Sequence, residues 1–84
     1  MSLEMDLRGE TEKWLRRAEA ALENISPSKI EGDRFCTNIA AYISDCRYFL
    51  DQGDLIRAFE AVIWAWAWIE IGLDEGILMR EDES

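Results

Sequence analysis

The stretch Asp51-Gln52-Gly53-Asp54-Leu55-Ile56-Arg57-Ala58-Phe59-Glu60-Ala61-Val62-Ile63-Trp64-Ala65-Trp66-Ala67-Trp68-Ile69-Glu70-Ile71-Gly72-Leu73 decides the fold. Its first four residues form a tight helix–helix turn. Gly53 readily adopts the left-handed conformation that ends a helix, and the Asp54 carboxylate accepts from the free N–H groups that begin the next one. Beyond the turn, Leu55, Phe59, Val62, Trp66, Ile69 and Leu73 recur at helical spacing and are expected to form the inner stripe of a helix over residues 55–73. Ala58, Ala61, Ala65 and Gly72 fall on an adjoining face, where their small size lets a neighbouring helix come close.

Outward from this stretch, two more helices are legible. Upstream of the turn, Phe35, Ile39, Tyr42, Ile43, Cys46, Phe49 and Leu50 form an apolar stripe within residues 29–52. Ser28 and Glu31 have capping-box spacing, and Ser26 before Pro27 is an equal candidate for the helix start. Gly32 interrupts this region, so the firm helix is expected from about Asp33. The first helix covers residues 4–24, with Trp14, Leu15, Ala18, Ala21 and Leu22 on one side and Glu12, Lys13, Arg16, Glu19 and Glu23 on the other. Lys13, Arg16 and Arg17 form a small basic cluster that reads as a solvated face. Short connections between long helices make neighbours antiparallel, so the expected fold is all-α, an up-and-down three-helix bundle in a single domain over residues 1–84. Ile77-Leu78-Met79 is placed to fold back on the bundle, and residues 80–84 read as a loose acidic tail.

Across residues 10–79 stand, in order, Tyr42-x-x-Asp45-x-x-Tyr48-Phe49, Gly53-Asp54, Ala58-Phe59-Glu60-Ala61, Ala65-x-x-Trp68-Ile69-Glu70-x-Gly72 and Gly76-Ile77. This ordered set resembles the archaeal family called domain of unknown function 357. The resemblance implies a short three-helix bundle of archaeal, intracellular origin and brings no catalytic residues with it. Some relatives are joined to nucleotidyltransferase-like domains, which implies an accessory role as one alternative. This chain departs in its wealth of Trp and in having Glu70 where relatives often carry Asp.

Composition narrows the chemistry. The chain has 84 residues, Lys+Arg 9 against Asp+Glu 18, a net charge of −9, four Trp, two Cys and no His. A His-based triad or His-ligated metal cannot be built within one copy, and a disulfide scaffold is excluded. Nucleic acid is not an expected partner, because phosphate contacts need a surplus of Lys and Arg. No apolar run approaches the roughly 20 residues that span a bilayer, so a cytoplasmic protein without membrane partner or cofactor is expected. Cys36 and Cys46 lie about 15 Å apart along one helix, too far to bridge, and read as packing residues.

Two surfaces remain as candidates. The third helix is apolar almost all round, more than two neighbours can cover. Trp64, Trp68 and Ile71 are therefore expected to anchor self-association, as a homodimer, or contact with another protein, with Arg57 and Glu60 at the rim. The alternative is a small ligand, metal or enzyme site at Asp45 and Glu70 with Tyr42 and Tyr48, since facing carboxylates could share a proton or a divalent cation.

Overall fold

In a computed structural model that describes residues 2–81, three helices pack up, down and up. They are α1 (Leu3–Glu23), α2 (Gly32–Asp51) and α3 (Leu55–Asp74). Two three-residue strands, β1 (Ile25–Pro27) and β2 (Leu78–Arg80), pair antiparallel with Ile25 opposite Arg80 and Pro27 opposite Leu78. The body is elongated, 43 × 21 × 17 Å, as expected for helices of 20 residues that are each about 30 Å long. No described helix is long and apolar enough to cross a membrane.

Helix boundaries follow from local chemistry. Ser2 caps α1, its hydroxyl accepting from the Met5 N–H at 3.1 Å. Asp54 caps α3, its carboxylate accepting from the Arg57 N–H at 3.2 Å. At the end of α2 the Gly53 N–H donates to Leu50 O and the Asp54 N–H to Phe49 O. That reciprocal pair closes a helix when the glycine is left-handed, and Gly53 has φ +75°. The same pair of bonds recurs after α3, from Gly76 to Leu73 O and from Ile77 to Gly72 O.

The start of α2 differs from both capping candidates. The helix begins at Gly32, and neither Ser26 nor Ser28 caps it. Both are drawn into the joint with the C-terminal segment: Ser26 lies opposite Met79 in the strand pair. The Ser28 N–H donates to Ile77 O at 2.9 Å, and its hydroxyl donates to Gly76 O. The Lys29 ammonium donates to Glu75 O at 3.1 Å, and the Glu81 N–H to Asn24 O at 2.7 Å. Ile77–Met79 does fold back, but as a strand that clasps the α1–α2 connection. Arg80 and Glu81 belong to this clasp and so are not part of a loose tail; residues 82–84 of that expected tail lie outside the described residues.

The core is made of aliphatic and small side chains. Leu15 and Ala18 of α1, Ile39, Ile43, Cys46 and Leu50 of α2, and Val62 and Ile69 of α3 are buried, with Ile25 and Leu78 closing one end. On α3 the buried face is centred on Ala58, Ala61, Ala65 and Gly72. The expected inner stripe is therefore displaced: Val62 and Ile69 are buried, whereas Leu55, Phe59, Trp66 and Leu73 are only partly covered. Thr11, the one buried polar side chain among the described residues, satisfies its hydroxyl on Leu7 O at 2.8 Å.

Two glycines mark where the chain packs too closely for a side chain. A Cβ on Gly32 would lie 2.5 Å from Pro27 Cβ and 2.9 Å from Ile77 O, and one on Gly72 would lie 2.5 Å from Leu78 Cδ1. Gly9, in contrast, has nothing within 4 Å. Gly32→Ala is expected to cost about 1–3 kcal/mol through overpacking, while Gly9→Ala adds about 0.5–1 kcal/mol by raising helix propensity. Thermal unfolding of the two variants checks this; equal melting temperatures would contradict the contact geometry.

Candidate functional site

Each tryptophan of α3 meets an aromatic ring from a neighbouring helix. Trp66 meets Trp14 of α1 edge-on at 5.9 Å, and its indole N–H donates to Trp14 O at 3.2 Å. Trp68 meets Phe35 of α2 edge-on at 4.6 Å. Trp64 lies over Tyr42 of α2 with ring planes 21° apart and centroids at 6.3 Å. Such pairs contribute about 0.5–1.5 kcal/mol beyond the area they bury. The small residues on the buried face bring α3 close to its neighbours, so the rings occupy the flanks of the helix.

The three rings differ in what they leave open. Trp64 is 55% exposed and Ile71, two turns further on, 52% exposed. Together they form an apolar patch on the outer face of α3. Trp68 does not belong to that patch: its ring is partly covered in the α2–α3 cleft against Phe35. The expected anchor set of Trp64, Trp68 and Ile71 thus reduces to Trp64 and Ile71, because Trp68 is partly buried against Phe35 while Trp64, although stacked on Tyr42, stays half exposed. Arg57 and Glu60 are both exposed on the same outer face. The Arg57 guanidinium is held by the capping carboxylate of Asp54 at 3.5 Å.

The carboxylate alternative is not brought together by the fold. Asp45 and Glu70 are both exposed. Pairing of Phe35 with Trp68 and of Tyr42 with Trp64 sets the register of the antiparallel α2 and α3. In that register Glu70 lies near the level of Phe35, about ten residues and roughly 15 Å along the axis from Asp45. Glu70 instead borders the α1–α3 groove beside Trp14, Ile63 and Trp66. Tyr42 is engaged by Trp64, and Tyr48 is exposed next to Phe49. No group of three or more His, Cys, Asp or Glu among the described residues is placed to hold a metal ion.

The basic cluster is partly used. Lys13 pairs with Glu10 at 2.9 Å, and the Arg17 guanidinium lies 4.8 Å from the Trp14 ring centroid, within cation–π range. The cross-helix ion pair of α1 and α2 joins Glu19 to Arg47. Both cysteines are free thiols. Burial, and then the nearby Glu19 carboxylate, push the Cys46 thiol up to about 11 against the opposing Arg47 charge. Cys36 is raised by burial and by Asp33.

These geometries belong to a shared fold. The family model described as "Protein of unknown function (DUF357)" matches residues 13–78. Among solved structures, the crystal structure of a DUF357 protein from Archaeoglobus fulgidus superimposes with a TM-score of 0.86 at 56% sequence identity. The match covers 94% of this chain and 99% of that one. No curated protein matches the chain.

The two thiols are expected to separate in a reactivity assay. A thiolate is the reacting species, so at pH 8 the folded protein modifies Cys36 first and Cys46 only as the core opens. Mass spectrometry of a time course reads the order; simultaneous labelling would contradict the burial of Cys46.

Proposed function

We propose, from the premise that the chain belongs to the DUF357 family, that it is a small non-catalytic interaction module of the cytoplasm that forms a homodimer. The contact is the outer face of α3. The observation that supports this most is the pair Trp64 and Ile71, two turns apart on α3 and each with about half its surface in solvent. Removing that area from water drives association at about 25 cal/mol per Å² before the costs of ordering are met.

A second copy suits this face better than the rest of the surface. Two molecules of net charge −9 repel each other. Along this face, however, the charges are mixed, with Glu60 about one turn and Arg57 about two turns before Trp64. A two-fold contact here sets apolar surface on apolar surface and leaves the acidic remainder facing outward.

Sedimentation equilibrium over micromolar concentrations tests the reading. The wild type is expected to dimerise, more tightly as salt screens the mutual repulsion. Trp64→Glu is expected to be monomeric with unchanged helicity. A wild type that stays monomeric throughout, or a Trp64→Glu dimer of undiminished affinity, would overturn it.

A further inference from the structure

A second apolar surface lies apart from the Trp64 patch. α1 and α3 run parallel and leave an open groove along the side that α2 does not cover. Its central section, about 400 Å³, lies over Trp14, Phe59, Ile63, Trp66 and Ala67. The next section continues from Trp14 and Phe59 to Leu3 and Leu7, and a third from Leu3 and Leu7 to Ile56. On α3 the lining residues Ile56, Phe59, Ile63, Trp66 and Glu70 follow helical spacing, which carries the groove about 21 Å, or four turns of helix.

The groove has few polar groups on its floor. The Trp66 indole N–H is already taken by Trp14 O. Charge lies on the lips instead. Glu4, Asp6 and Glu70 border the groove without an ion-pair partner among the described residues. Glu10 and Asp54 also border it and are engaged by Lys13 and Arg57. Cations approach beside Trp14, where Lys13 and Arg17 lie over the ring, and at Asp54, which holds Arg57.

We propose that the α1–α3 groove receives an amphipathic helix of another protein, about 15 residues long, with an apolar stripe and Lys or Arg along its flanks. The length follows from the groove, and the stripe matches the helix-in-groove mode of recognition. The sign of the flanking charges follows from the acidic lips. A second copy of this chain is the poorer occupant, because it would set acidic lips against an acidic surface. This inference is independent of the dimer contact, since Trp64 and Ile71 do not line the groove.

The test titrates the full chain with a synthetic Leu/Lys amphipathic helix and with its Leu/Glu counterpart, following the indole N–H resonances and the heat of binding. Leu/Lys is expected to bind and to shift Trp14 and Trp66 but not Trp64. Ile63→Glu is expected to weaken binding by about tenfold or more, because a carboxylate is buried at the contact, even though the added charge strengthens general attraction for a cationic peptide. The exposed Glu70→Lys, which leaves the core untouched, is expected to weaken binding severalfold. Trp64→Glu is expected to leave the affinity unchanged. The proposal is overturned by no binding, by binding of both peptides alike, or by Leu/Lys binding that neither Ile63→Glu nor Glu70→Lys reduces. A dimer that Ile63→Glu disperses and Trp64→Glu preserves would assign the groove to a second copy instead, and would equally overturn it.

Discussion

The close approach permitted by the small face of α3 is the constraint on which the rest of the molecule depends. Ala58, Ala61 and Ala65 are buried on this face, and Gly72 completes it where Leu78 folds over the helix. With so little side chain between the backbones, the space at the centre of the bundle is filled by Ile39, Ile43, Val62 and Ile69. The large rings of α3 then take the flanks, where each finds an aromatic partner on a neighbouring helix. Interiors pack at near-crystalline density, so a bulky residue on the small face would have to push a helix away.

This arrangement leaves α3 with more apolar surface than a single copy covers. The flank toward α2 is closed by Phe35 over Trp68 and by the strand clasp around Leu78. The flank toward α1 is only half closed, by Trp14 over Trp66, and opens into the groove. The outward face carries Trp64 and Ile71 with mixed charges, whereas the groove has acidic lips. Two apolar surfaces with different electrostatic borders suit two different occupants, a copy of the same chain and a basic helix.

Much of the architecture was legible because it rests on local chemistry. Gly53 and Asp54 announced the α2–α3 turn, and the apolar spacing of residues 35–50 marked α2. The α1–α2 connection was less legible. Ser26, Pro27 and Ser28 look like capping residues, but their backbone and the Ser28 hydroxyl are used by a segment some 50 positions away, and no local pattern encodes that pairing. For the same reason Arg80 and Glu81 read as tail when they close the clasp. On α3 side-chain size is the misleading signal: large residues suggest the centre, yet alanines hold it, which turns Trp68 toward the α2 cleft, whereas Trp64 and Ile71 stay exposed as their spacing indicates. Asp45 and Glu70 share a helix pair in sequence but lie more than two turns apart along it.

The account stands most directly on where the molecule changes when it associates. The chain has four tryptophans, at positions 14, 64, 66 and 68, so four indole N–H resonances report the four positions separately. On dilution from high to low micromolar concentration, the Trp64 resonance is expected to move while those of Trp14, Trp66 and Trp68 stay in place. A Trp64 resonance that is constant across the series, or movement led by Trp14 and Trp66, would contradict the assignment of the outer face of α3 as the contact between copies.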